Sequence, residues 1–216
     1  VIETVLPFLL AAGLAVLMGL EWSSRKRVRA WRALRQAPHM LIAQVKDGSI
    51  ARITGTAGAL GTLKTAPIGG AACLGYRLEI GALKGRAQSV VLRREACEPF
   101  AIADESGKAT VDGPVLFGLD FESDWSELPD DGYALLEAAG VATVGTFFRI
   151  HFSFRQALLE PGDRVSACGL AFLEPDPTQP TVGMREPALR PHLRGTTKTD
   201  CVAVADAAGV QGPVVA

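Results

Sequence analysis

The chain has 216 residues, 48% of them hydrophobic and 21% charged, which suffices to bury one ordinary core without disulfide staples and is too little for two full domains. Its formal net charge of -1 hides a segregation, because Arg25, Lys26, Arg27, Arg29, Arg32 and Arg35 cluster near the start, where Glu3 and Glu21 are the acids, leaving the rest at roughly -5. A mildly acidic body argues against nucleic acid as a partner, and four scattered cysteines, Cys73, Cys97, Cys168 and Cys201, with no C-x-x-C pair, argue against a secreted disulfide framework.

Val5 to Leu20 reads VLPFLLAAGLAVLMGL, without a charge. At about 1.5 Å per residue these roughly 16 residues cover about 24 Å, and Val1, Ile2, Thr4 and Trp22 extend them close to a bilayer span. The reading is a transmembrane anchor over 1–22 in a single-pass protein, with the bases behind it holding the remainder of the chain on the cytoplasmic side. A cleaved signal peptide and a buried core helix compete. The first wants its basic region before the apolar run, and the second wants a polar face.

Residues 23–37 are expected to form a basic juxtamembrane helix. Val28, Trp31 and Leu34 recur at helical spacing among arginines, so the helix is expected to lie among lipid headgroups, each base contributing on the order of 1 kcal/mol. The expected membrane-interface residues are Trp22, Arg25, Lys26, Arg27, Arg29, Trp31, Arg32 and Arg35, and the first expected partner is the lipid bilayer. A solvated helical linker is the plainer alternative.

Pro38 ends the helix, since the residue before a proline is pushed out of helical geometry. A soluble domain is expected over 38–216. Ser49 to Thr56, Cys73 to Ile80 and Gln88 to Arg93 are β-compatible, and Phe148, Ile150, Phe152 and Phe154 alternate strictly with Arg149, His151, Ser153 and Arg155. Pro99 to Val111 has the pattern of a hairpin with Gly107 at the positive-φ position. The turn Glu160 to Asp163 leads into a strand over Arg164 to Leu170. Between them lie an acidic loop, Asp120 to Asp131, and a short helix around Tyr133 to Ala139. After Glu174 the chain reads as loop, with a late strand over Cys201 to Ala205. The fold class is mainly β, a small OB-like barrel or sandwich with a short inserted helix, preceded by an N-terminal transmembrane helix.

Candidate chemistry is sparse. Asp120 to Asp124 places oxygen ligands at alternate positions, but Trp125 stands where a calcium loop turns on glycine. His151 could meet a carboxylate such as Asp163, with no nucleophile beside it. Gly55 to Thr62 lacks phosphate-loop spacing, so its glycines read as turn residues. Cys97 has only Arg93 and Arg94 near it to lower a thiol pKa. No catalytic residue, cofactor or metal ligand is assigned.

Three stretches carry a resemblance. They are Gly55 to Tyr76 with Leu63-Lys64-Thr65-Ala66-Pro67 and Cys73…Tyr76-Arg77, then Pro99-Phe100…Asp104…Gly107…Val111, then Leu159-Glu160-Pro161-Gly162-Asp163…Gly169. Together, over residues 50–172, they resemble the GIDE family, the beside-a-membrane (BAM) domain of membrane-anchored RING-type E3 ubiquitin ligases. The resemblance implies a place near a membrane and an association with ubiquitin transfer. A RING finger needs eight Cys or His ligands in paired spacings, which four Cys and three His cannot supply. The expected function is thus a membrane-tethered, non-catalytic module recognising a protein or lipid partner. The alternatives are a ligase component whose RING comes from a partner, and a membrane-organising protein that self-associates as a homo-oligomer.

Overall fold

The computed structural model describes residues 28, 31–84, 87–119, 121, 124–143, 150–176, 188–195 and 202–207. In chain order these form a helical segment over 31–36 and a 3-10 turn, Ile42–Gln44, followed by strands β1 (Ile50–Ala59), β2 (Lys64–Thr65), β3 (Ala72–Cys73), β4 (Gly75–Lys84), β5 (Ala87–Cys97), β6 (Phe100–Asp104), β7 (Gly107–Val111), β8 (Val115–Phe117) and β9 (Ser126–Glu127). A helix, Asp130–Ala138, precedes β10 (Phe152–Leu159), β11 (Arg164–Pro175), β12 (Leu189–Arg194) and β13 (Val202–Asp206).

The fold is mainly β and is built on a closed barrel. β1 pairs with β6, β6 with β7, β7 with β12, β12 with β11, and β11 returns to β1. Counted along the chain, these five strands stand in the order first, second, third, fifth, fourth, with the third and fifth parallel, the arrangement of an OB-type barrel. β11 makes closure possible by its length of 12 residues. Arg164 to Leu170 face β1 along one edge, while Val165 to Cys168 take β13 and Leu170 to Pro175 take β12 along the other. Small and large side chains share the core: Ala51, Ala57, Ala109, Ala167 and Ala171 sit among Ile53, Phe100, Ile102, Phe117, Leu159 and Leu193. Each large side chain so buried is worth about 1.5–3 kcal/mol.

Gly55 lies inside β1, where a Cβ would strike the Ala103 carbonyl, so close β1–β6 approach requires this glycine rather than the turn expected there. The hairpin β6–β7 forms with a different turn chemistry. Gly107 does not have positive φ; the Asp104 carboxylate instead accepts from the Ser106 and Gly107 N–H groups at 2.7 and 3.0 Å and from the Ile42 N–H at 2.9 Å, tying the hairpin to the 3-10 turn. Gly162, at φ 105°, does turn the chain between β10 and β11.

A second layer, β5-β4-β10-β9, is inserted between barrel strands. One of its faces carries Leu78, Ile80 and Phe152, against which the helix packs Leu136 and Tyr133, the latter edge-on to Phe152 with centroids 6.0 Å apart. Asp130 and Asp131 in the first turn suit the positive helix end, and Gly140 at φ 72° stops the helix after Ala139.

The N-terminal expectations need correction. Among the described residues no helix is long and apolar enough to cross a membrane. The anchor expected over 1–22 lies outside the described residues, as do Trp22, Arg25, Lys26, Arg27 and Arg29. The helical segment 31–36 does not spread an apolar face toward lipid. Leu34 is fully buried with Ala37, Cys168, Ala203 and Ala205, and Trp31 packs beside it on Gly118, whose Cβ, if present, would fall on the indole ring. Trp31 and Leu34 of its apolar stripe are thus committed to protein, while Val28, Arg32 and Arg35 are exposed. The N-terminal transmembrane helix, the single-pass topology with its cytoplasmic placement, and the bilayer as partner are accordingly not supported.

Candidate functional site: an arginine face on the second sheet

Strand alternation puts Arg77 and Glu79 of β4 on the sheet face opposite the helix. The registers place Arg93 of β5 and Arg155 of β10 directly across from Glu79, one on each side, and Glu95 across from Arg77. Five charged groups from three strands therefore converge without any loop contributing. Glu79 is completely buried; it accepts hydrogen bonds from Arg77 Nη2 at 2.8 Å on Oε1 and from Arg155 Nη2 and Nε at 2.7 and 3.0 Å on Oε2, and Arg93 Nη2 forms an ion pair with Oε1 at 2.6 Å. Burial would raise its carboxyl pKa, but the hydrogen bonds from Arg77 and Arg155 and the charges of Arg77 and Arg93 outweigh burial and hold it down to about 2.

Two rings of the segment after β8 lie on this cluster. Phe121 stands 4.6 Å from the Arg77 guanidinium and 4.2 Å from that of Arg155, and Trp125 stands 4.8 Å from Arg155. Trp125 fits because residue 81 is glycine; a Cβ there would come within 2.9 Å of the indole. These stacks help orient the guanidinium planes.

The cluster is richer in donors and charge than Glu79 and Glu95 can match. Among the described residues three guanidinium groups face two carboxylates, a surplus of one positive charge. By inventory they carry about fifteen N–H donors against about eight lone-pair sites. Arg77 Nε, buried, approaches Glu95 Oε1 only to 3.6 Å, beyond hydrogen-bond range. Arg93 and Arg155 open to solvent, their side chains 45% and 32% exposed. Among the described residues the cluster offers guanidinium donors that suit an anion.

The other candidates do not converge on chemistry. His151 is exposed just before β10, whereas Asp163 comes after that strand, roughly 25 Å away along eight extended residues, and accepts from the Glu160 N–H in its own turn. Burial first, then the Glu98 charge, pushes the Cys97 thiol up to about 12, and burial pushes Cys168 to about 11, so neither is a ready thiolate. Among the described residues no group of three or more His, Cys, Asp or Glu could hold a metal ion, while Asp120, Glu122 and Ser123 of the acidic loop lie outside them. A cavity of about 470 Å³ beside the helix is bordered by Glu127, Asp130 and Glu137 around Tyr133, and its lining includes Thr143 and Ile150, which flank the undescribed stretch 144–149.

Nothing in the sequence alone singles out Glu79 or joins Arg77, Arg93 and Arg155 to one another. The available signal is a charged residue at alternate positions of three strands, which reads equally as a solvated face.

No family model matches the chain, and neither a curated protein nor a solved structure matches it. The resemblance to the GIDE family is therefore not upheld, and the ligase association falls with it. Its motifs explain why: Gly55 serves close strand approach, Phe100 and Val111 the barrel core, and Pro161-Gly162 a turn. Such residues specify barrel construction and are available to unrelated sequences.

Proposed function

We propose that the domain is a non-catalytic recognition module whose arginine face binds an anionic group, a carboxylate or phosphate, through Arg93 and Arg155. The observation that carries this is the donor and charge surplus around the buried Glu79, with two of its three guanidinium groups reaching solvent. Glu79 pre-organises the forks, so an arriving anion meets groups already held in place, which lowers the ordering cost of binding. Arginine suits the task because its planar fork matches both carboxylate and phosphate.

The test is thermal unfolding of the full chain in inorganic phosphate against chloride at equal ionic strength. A saturable rise in Tm at low millimolar phosphate is expected, because a ligand bound only by the folded state stabilises it, by about 2.7 kcal/mol at a hundredfold excess over Kd. Arg93→Gln should lose the saturable part. Identical curves in the two salts would remove the reading.

A further inference from the structure

We infer that the anion arrives on an extended acidic peptide that adds itself as a fifth strand along the outer edge of β5. This rests on the anion-recognition reading above and specifies its partner. β5 is the terminal strand in the order β5-β4-β10-β9, and it is 11 residues long. Its backbone is paired to β4 along one edge, and among the described residues no strand is in register with the other. A row of peptide groups on an open edge is a template for another extended chain. The ladder with β4 runs unbroken from Leu92 to Cys97, past the irregularity between Ile80 and Gly81, so the edge is regular where the charges are.

The side chains along that edge select the occupant. Arg93 shares its face with Glu79, while Leu92 and Arg94, opposite Ile80 and Leu78, point to the other face. A peptide paired alongside would set one residue next to Arg93 and its neighbours in sequence next to Leu92 and Arg94. An acidic side chain beside Arg93 reaches the surplus donors of the cluster, and an apolar one covers Leu92. The preferred sequence alternates acidic and β-branched residues. A basic peptide would bring like charge against Arg93 and Arg94.

The experiment titrates fluorescently labelled eight-residue peptides into the full chain and tracks anisotropy: alternating Val-Glu, alternating Val-Lys, and Val-Glu with alternate amides N-methylated in each of the two phases. Val-Glu should bind, Val-Lys should not, and N-methylation of the phase facing β5 should weaken binding at least tenfold, because methylation removes ladder donors and leaves every charge. Arg93→Gln should weaken Val-Glu by a similar factor. Equal affinity for the plain and both methylated peptides would overturn strand addition. So would no peptide binding with the phosphate response intact, which spares the anion site, whereas loss of both responses overturns the anion site as well. Dimerisation of the unliganded chain that Val-Glu cannot compete would mean that β5 is covered by a second copy, and would also overturn it.

Discussion

Glu79 is the residue on which the second sheet depends electrostatically. A carboxylate with no exposure is tolerated because three guanidinium groups replace its water, and removing it leaves those cations facing each other in a partly desolvated site. Glu79→Gln is expected to cost about 3–5 kcal/mol at pH 7 by denaturant unfolding. The pH dependence has a definite sign. The folded carboxyl, at about 2, lies below its ordinary 4.5, so the unfolded chain binds the proton more readily; the contribution is complete above pH 4.5 and disappears as pH falls toward 2. The stability gap between wild type and Glu79→Gln should narrow across that window, and parallel curves from pH 5 to 2 would contradict the assignment. The cysteines give a second expectation at this scale. With thiol pKa values held up to about 12 and 11, Cys97 and Cys168 should resist iodoacetamide at pH 8 in the native chain and react in urea, as read by peptide mass mapping. Native labelling of the half-buried Cys97 at the rate of a free thiol would show that its surroundings do not hold the thiol protonated.

The element that most changes the reading of this chain is the helical segment 31–36. Its i, i+3 spacing of Trp31 and Leu34 is visible in the sequence, and so is its termination at Pro38. Amphipathicity states that one face seeks an apolar surface without stating whether that surface is lipid or protein. Here it is protein, through Leu34 in the cluster with Cys168 and Ala203 and through Trp31 on Gly118. Gly118→Ala is expected to displace the indole, at a cost of about 1–3 kcal/mol from overpacking, with faster amide exchange over 31–37. Unchanged exchange there would mean that the segment does not dock through Trp31. β12 shows the converse limit. LRPHLR lies in the stretch after Glu174 that reads as loop, yet it is a barrel strand in spite of Pro191. The proline is accommodated because its parallel pairing with β7 begins only at His192, so the missing N–H falls where that ladder has not started. The arginine face stays hidden for a related reason: alternating charge marks one face of a strand, and only the registers of β4, β5 and β10 reveal that three such faces coincide.

At the scale of the whole molecule, closure is decided late in the chain. β1, β6 and β7 form a meander that any β-rich sequence with these turns could make, and β11 returns to β1; the gap between β7 and β11 is filled by β12 alone, while β13 covers the remaining edge of β11 and carries β8 beyond it. These last two strands bring Leu193, Val202 and Val204 into the core with no exposure. At about 1.5–3 kcal/mol for each buried side chain they contribute roughly 5–9 kcal/mol, a quantity comparable to the whole stability of about 5–15 kcal/mol typical of a domain. A chain ending at Asp176 should therefore not hold a closed barrel. It would leave β7 and β11 with open edges and Phe117 and Ala167 without their cover, so the expected result is loss of a cooperative urea transition together with binding of a hydrophobic dye. The arginine face offers an internal comparison, since β4, β5 and β10 all lie before residue 176. If the truncated chain still unfolded cooperatively with an undiminished m-value, β12 and β13 would be accessories to a complete fold, and the barrel could not be the unit that holds the second sheet in place.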